Sequence, residues 1–253
     1  MVKLYTCLAI LSLFANGCTH TMDMVECKEL FAEFPVDPKI AKQHVPSEYK
    51  IRIDKNGMAI LLLMVQDCDK GILDSLVRIK PMRMSQIWIE IEGPEEVGAP
   101  LHDTTESLPT AYYYILPHQM DSRLAHIALT LTGIDSQLVK EITLGERSGD
   151  QRFGQVIEKV PSVKYQWTEK SQIRKIPKVV TGRRQFYRQY GWLIKRTSVG
   201  TVTCHSKFLG DGRVMLSTSP DSAIGSLNFG TTLQGTAYPV EMSCRADIKV
   251  HIK

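Results

Sequence analysis

The stretch Ser85-Gln-Ile-Trp-Ile-Glu-Ile-Glu92 places an isoleucine at every second position. Side chains of a β-strand point alternately to its two faces, whereas a helix repeats every 3.6 residues. The stretch is therefore a strand, with Ile87, Ile89 and Ile91 on one side and Gln86, Trp88, Glu90 and Glu92 on the other. Two arrangements fit this pattern. In a small barrel with a ligand cavity, the isoleucines pack under a helix or rim while Trp88 and Glu90 look into the lumen. In an ordinary half-wet sheet, the isoleucines face the core and Glu90 and Glu92 are solvent charges.

The neighbouring segments are also strand-like. Tyr49-Lys-Ile-Arg-Ile53 alternates, Asp54-Lys-Asn-Gly57 is a hairpin turn signal, and Met58 to Gln66 is a nearly continuous apolar run. On the other side lie a Pro- and Gly-containing loop over residues 93–109 and a strand, Thr110-Ala-Tyr-Tyr-Tyr-Ile-Leu116. Tyr112 and Tyr114 share a face there and are candidates for aromatic cavity walls with hydroxyl handles. The candidate ligand-binding set is Arg83, Gln86, Trp88, Glu90, Tyr112 and Tyr114, with Arg83 as the cation that would pair with a buried Glu90.

Pro117 to Leu131 carries apolar residues at helical spacing and predicts the main helix, with Gly133 as its stop. Glu26 to Phe34 predicts a short helix, and Ser136 to Ile142 a second short helix or a strand. Strands follow at 153–160, 163–168, 190–195, 200–208, 213–218 and 243–252, with a further turn at Leu209-Gly-Asp-Gly212. The fold class is mainly β (α+β): a single curved antiparallel β-barrel-like domain over 45–253, with one or two helices on its rim. Residues 18–44 form a tether with the short helix.

The order Val45-Pro46, strand, Asn-Gly hairpin, apolar strand and alternating strand 85–92 resembles the acetoacetate decarboxylase-like superfamily. So does a central helix ending Leu131-Thr-Gly133 before a strand-rich C-terminal half. The resemblance spans about residues 45–252 and is one of pattern. It implies a cone-shaped β-barrel with an interior pocket. It also implies, for the enzymes of that family, a Schiff-base lysine beside a second lysine in a Pro-Lys-Lys type motif. This chain has no adjacent lysine pair, and Lys140 is followed by Glu141. No catalytic residue is carried over.

The N-terminus points to export. Lys3 precedes a mostly apolar run from Leu4 to Phe14, and small residues lead to Cys18, as in a secretory signal peptide over residues 1–17. Ala15-Asn-Gly-Cys18 resembles a bacterial lipobox, which makes Cys18 the candidate lipid attachment site; plain secretion is the alternative. Thr19 in place of aspartate favours the periplasmic side of the outer membrane in a host with two membranes. Four cysteines follow, and an even number in an exported chain suggests two disulfides. Cys204 and Cys244 lie in strand-like segments and are the first choice for a pair, leaving Cys27 with Cys68; four unpaired thiols are the alternative.

The other motifs are negative or bland. No Cys-x-x-Cys, His-x-x-x-His, Walker or Gly-x-Ser-x-Gly pattern occurs, so no metal and no cofactor is expected. The histidines, His118 and His126 among them, read as solvated loop or helix-surface residues. The net charge of +4 is too mild to imply nucleic acid. Ten lysines and arginines lie between Lys164 and Arg196 against one acid, Glu169, with aromatics interleaved. Arg183, Arg184 and Arg188 are its densest part, suited to an anionic lipid surface or wall polymer, or else to a solvated face. The composite expectation is an envelope lipoprotein that binds a small apolar or amphipathic ligand. The alternatives are a keto-acid decarboxylase or lyase, and a non-catalytic membrane or wall interaction protein.

Overall fold

The computed structural model describes residues 19–93, 110–131, 136–148, 151–157, 161–169, 178–190, 196–208 and 212–252. The chain begins with β1 (Thr19–Val36), the one-turn helix α1 (Pro38–Ala41), β2 (Ala59–Leu73), β3 (Val77–Ile79), β4 (Met82–Ile91) and β5 (Thr110–Met120). Helix α2 (Arg123–Leu131), β6 (Gln137–Leu138), β7 (Glu141–Ser148), β8 (Gln151–Ile157) and β9 (Pro161–Glu169) follow. β10 (Lys178–Tyr190), β11 (Arg196–Phe208), β12 (Gly212–Thr218) and β13 (Thr232–Ile252) complete it.

The strands form one strongly curved sheet in the order β1-β2-β4-β5-β10-β11-β13-β12-β9-β8-β7, with β3 beside β2 and β6 beside β5. β13 also pairs back onto β1, so the first half of the sheet curls into a ring of seven strands. The sheet does not end there. Beyond Val240, where β11 lets go, the free edge of β13 takes up β12. β12, β9, β8 and β7 then fold back over the outside of the ring.

This layout gives two cores. Between ring and overlying sheet lie Leu30, Phe34, Leu61, Leu63, Ile87, Ile89, Ile91, Tyr114, Ile142, Val156, Val214 and Leu216. Inside the ring lie Met22, Met24, Phe31, Leu62, Met64, Met84, Trp88, Tyr113, Leu129, Met242 and Ile248. The isoleucine face thus packs under a second layer of sheet, and the Trp88 face forms the lumen. Along Leu30–Ala32 of β1, Leu61–Val65 of β2 and Ile87–Ile89 of β4 both faces are apolar, because there both are covered.

Two expected helices are corrected. Glu26 to Phe34 lies within β1, where burial on both faces puts Leu30, Phe31 and Phe34 at a spacing that mimics a helix. A register shift between Met24 and Cys27, with Glu26 at φ 52°, turns the strand's inner face from even to odd positions. The tether expectation is replaced likewise, since β1 pairs with both β2 and β13. Pro117 does not open the main helix. It sits in an irregularity of β5, where three steps from Ile115 to His118 oppose two from Trp88 to Gln86. Helix α2 starts only at Arg123, after Ser122, whose Oγ accepts from Ala125 N at 3.3 Å.

Smaller differences follow. The 49–53 segment makes isolated bridges, Ile51 to Ile91 and Ile53 to Ala59, and its Asn-Gly turn forms with Gly57 at φ +80°. β10 covers 178–190 and meets the expected 190–195 strand only at Tyr190; residues 191–195 lie outside the described residues together with the 209–211 turn and residues 1–18.

Candidate functional site: a methionine-lined lumen

Inside the ring lies a partly open cavity of about 90 Å³. A single water needs roughly 10–15 Å³ on this measure, so the space suits a small organic molecule. Its wall is mostly apolar and includes Met22, Met24, Met64, Met84 and Met242, five of the ten methionines in the chain. Methionine is unbranched and polarisable, and a wall rich in it adapts to guests of differing shape. Leu129 from α2 reaches this space from one side, while Ala125 and Ala128 of the same helix are buried.

The polar groups of the wall are few. Trp88 Nε1 donates to Gln86 Oε1 at 3.0 Å, and Gln86 Nε2 lies 3.1 Å from His118 Nε2. The indole stacks obliquely against Phe31 and Tyr113, with ring centroids 5.9 and 5.2 Å away. Gln66 also faces the cavity, and across the ladder from it stands Glu29, 2% exposed. The Cys204–Cys244 disulfide lies in the wall as well. No acidic side chain, lysine or arginine occurs among the described residues that line the cavity, and no cluster of His, Cys, Asp or Glu suited to a metal occurs among the described residues.

No protein-family model matches the chain, and no curated protein matches its sequence. Solved structures do match its shape. Acetoacetate decarboxylase from Legionella pneumophila superposes with a TM-score of 0.60 over 88% of this chain and 84% of that one, at 9% identity. The chain has the acetoacetate decarboxylase fold. An acetoacetate decarboxylase-like enzyme from Sphingomonas wittichii RW1 gives 0.55 over 95% and 94%, at 11% identity. The enduracididine biosynthesis enzyme MppR, solved with pyruvate, gives 0.54 over 91% and 90%, at 10% identity. At such identities the likeness concerns the acetoacetate decarboxylase fold and nothing finer.

Within that fold the expected site residues divide. Gln86 and Trp88 line the lumen. Glu90 continues the same face beyond the cavity, and Arg52 Nη1 donates to its Oε1 at 2.7 Å; Arg83 is not its partner. Arg83 points to the opposite face and meets Asp67 and Asp121 at 3.3 and 3.6 Å. Burial raises the pKa of Asp121; a bond from Ile142 N and the Arg83 charge act against it. Tyr112 and Tyr114 belong to the outer core, where Tyr114 packs 5.3 Å from Tyr49. Tyr113 takes their place inside. The pairing Glu90–Tyr113 and Ile91–Tyr112 sets this parity, which the number of residues between the two strands hides from the sequence.

Both cysteine pairs form as expected. Cys204–Cys244 and Cys27–Cys68 are direct cross-strand partners, with Cα atoms 4.2 and 3.9 Å apart. His118 corrects the surface reading of the histidines: it is 5% exposed, in the cavity wall. The methionines, Gln66 and Leu129 were missed. A signal for Met84 and Met242 was present in the every-second-residue patterns Met84-Gln86-Trp88 and Met242-Cys244-Ala246-Ile248. Arg183, Arg184 and Arg188 lie along β10, opposite Thr203, Val202 and Ser198 of β11, and their side chains lie outside the described residues. Cys18 lies outside them too.

A second, open depression mixes polar with apolar residues such as Ile60 and Met215. Its polar side chains include Glu33, Asp54, Asn56, Arg213 and Gln234. Burial, and then the nearby Glu90 charge, raise the Glu33 pKa, against a weak bond from Tyr238 OH at 3.5 Å.

Proposed function

We propose that the protein is an exported envelope lipoprotein, acylated at Cys18, that holds a small apolar or amphipathic molecule in the lumen of the ring. The observation that carries the binding role is the cavity itself: Trp88 and five adaptable methionines around a small polar group, with a disulfide fixing one wall. Two cross-strand disulfides support an oxidising compartment. β1 starts at Thr19, so an anchor on Cys18 would tie the ring directly to the bilayer surface. Arg183, Arg184 and Arg188 remain proposed contacts for anionic lipid or wall polymer.

Native mass spectrometry of the protein purified from its own host tests the binding role. A bound small molecule, lost on denaturation and diminished by Trp88→Ala, is expected. A uniformly empty protein from that source would remove the proposal. The decarboxylase or lyase reading draws support from the enzymes that share the fold. Borohydride trapping with a β-keto acid separates the two, because only a Schiff-base enzyme gains a covalent adduct.

A further inference from the structure

We infer that Gln66 selects the guest, accepting a hydrogen bond from a hydroxyl or N–H group on an otherwise apolar molecule. The inference rests on the reading of the lumen as a ligand site. Gln66 stands on the inner face of β2 between Met64 and Cys68, opposite Met84, and is 1% exposed in the cavity wall. Its Oε1 has no hydrogen-bond partner. The neighbouring amide is already engaged: Gln86 takes the Trp88 N–H and approaches His118 with its own nitrogen. Among the described wall residues, Gln66 is thus the one whose buried side-chain oxygen meets no donor.

A buried amide oxygen without a donor is unfavourable, and a methionine or leucine in its place would avoid that cost. The cost is removed when a guest brings the missing donor. A guest of the same shape without a donor leaves the oxygen unpaired and displaces any water that could serve it. A site built to hydrogen-bond a guest group disfavours the analogue that lacks it, because the site's own buried polar atom is then left unpaired. The methionines supply tolerance of shape and Gln66 supplies the chemical criterion. The guest class is a small alcohol, phenol or N–H heterocycle of low polarity.

The test titrates the full folded chain with phenol, toluene and benzaldehyde by calorimetry. Phenol carries a donor, toluene neither donor nor acceptor, and benzaldehyde an acceptor alone. Phenol should bind about three- to tenfold tighter than toluene, the range of one net hydrogen bond. Gln66→Met should abolish that preference while keeping toluene affinity, and the Gln66 side-chain amide resonance of the unaltered protein should shift with phenol but not with toluene. That NMR readout serves even if Gln66→Met does not fold. Equal affinity for all three compounds, or a preference for benzaldehyde, would overturn the role of Gln66 and leave the cavity reading standing. Binding of none of them would overturn both.

Discussion

At Trp88 the indole lies against Phe31 and Tyr113 and spends its N–H on Gln86, while the next residue, Ile89, turns outward into the core beneath the second sheet layer. Both side chains are fully buried, so loss of either should destabilise the fold. Ile89→Ala should cost about 2–5 kcal/mol and Trp88→Ala about 3–5 kcal/mol. Only the Trp88 change should also weaken guest binding. Urea unfolding beside calorimetry checks this; equal loss of affinity in both variants would break the division of faces. Glu33 gives a pH prediction. Its native pKa lies above the ordinary 4.5, so the native state binds the proton more tightly than the unfolded chain does. The stability it lends is complete below the ordinary value and is lost as pH rises through the raised one. Glu33→Gln should flatten that part of the stability-versus-pH curve and leave the mutant relatively more stable at neutral pH. An unchanged curve in denaturant titrations across pH 4–8 would refute the assignment.

Among the elements, β4 was legible because its alternation is strict, and the Cys204–Cys244 pair because both cysteines sit in strand-like sequence. β1 and the end of β5 were not. Their residues are covered on both faces, and Pro117 is tolerated only because the ladder is irregular there. The tyrosine parity was hidden for another reason: nothing local fixes the register of two strands separated by eighteen residues of sequence, from Ile91 to Thr110. Each disulfide closes a span of about 40 residues, 41 for Cys27–Cys68 and 40 for Cys204–Cys244. In the chain-entropy model each should contribute about 3–5 kcal/mol. The double variant Cys204→Ala/Cys244→Ala should therefore lower the unfolding midpoint strongly, and its cavity wall, where β11 meets β13, should bind guests less tightly. A midpoint equal to that of the unaltered protein would remove the claim.

For the whole molecule, the barrel-like curvature was readable from the sequence, but the overlying layer of β7, β8, β9 and β12 was not. That layer is what makes the isoleucine face a core instead of a rim. Localisation belongs to this scale too. Cys18→Ser should release the protein from membrane fractions and abolish incorporation of a fatty-acid label; unchanged fractionation with no label on the native protein would end the lipoprotein reading.

β13 carries a mechanical consequence. Its 21 residues span about 70 Å at the usual strand rise. From Thr236 to Lys249 one edge is committed to β1, while the other edge passes from β11 to β12. Ring and outer layer are thus rungs on one rail, and neither can swing away without tearing the ladder they share. The protein should melt in a single step. The amides of β13 near Cys244 should exchange with solvent only when the whole molecule opens, at a rate set by its global stability.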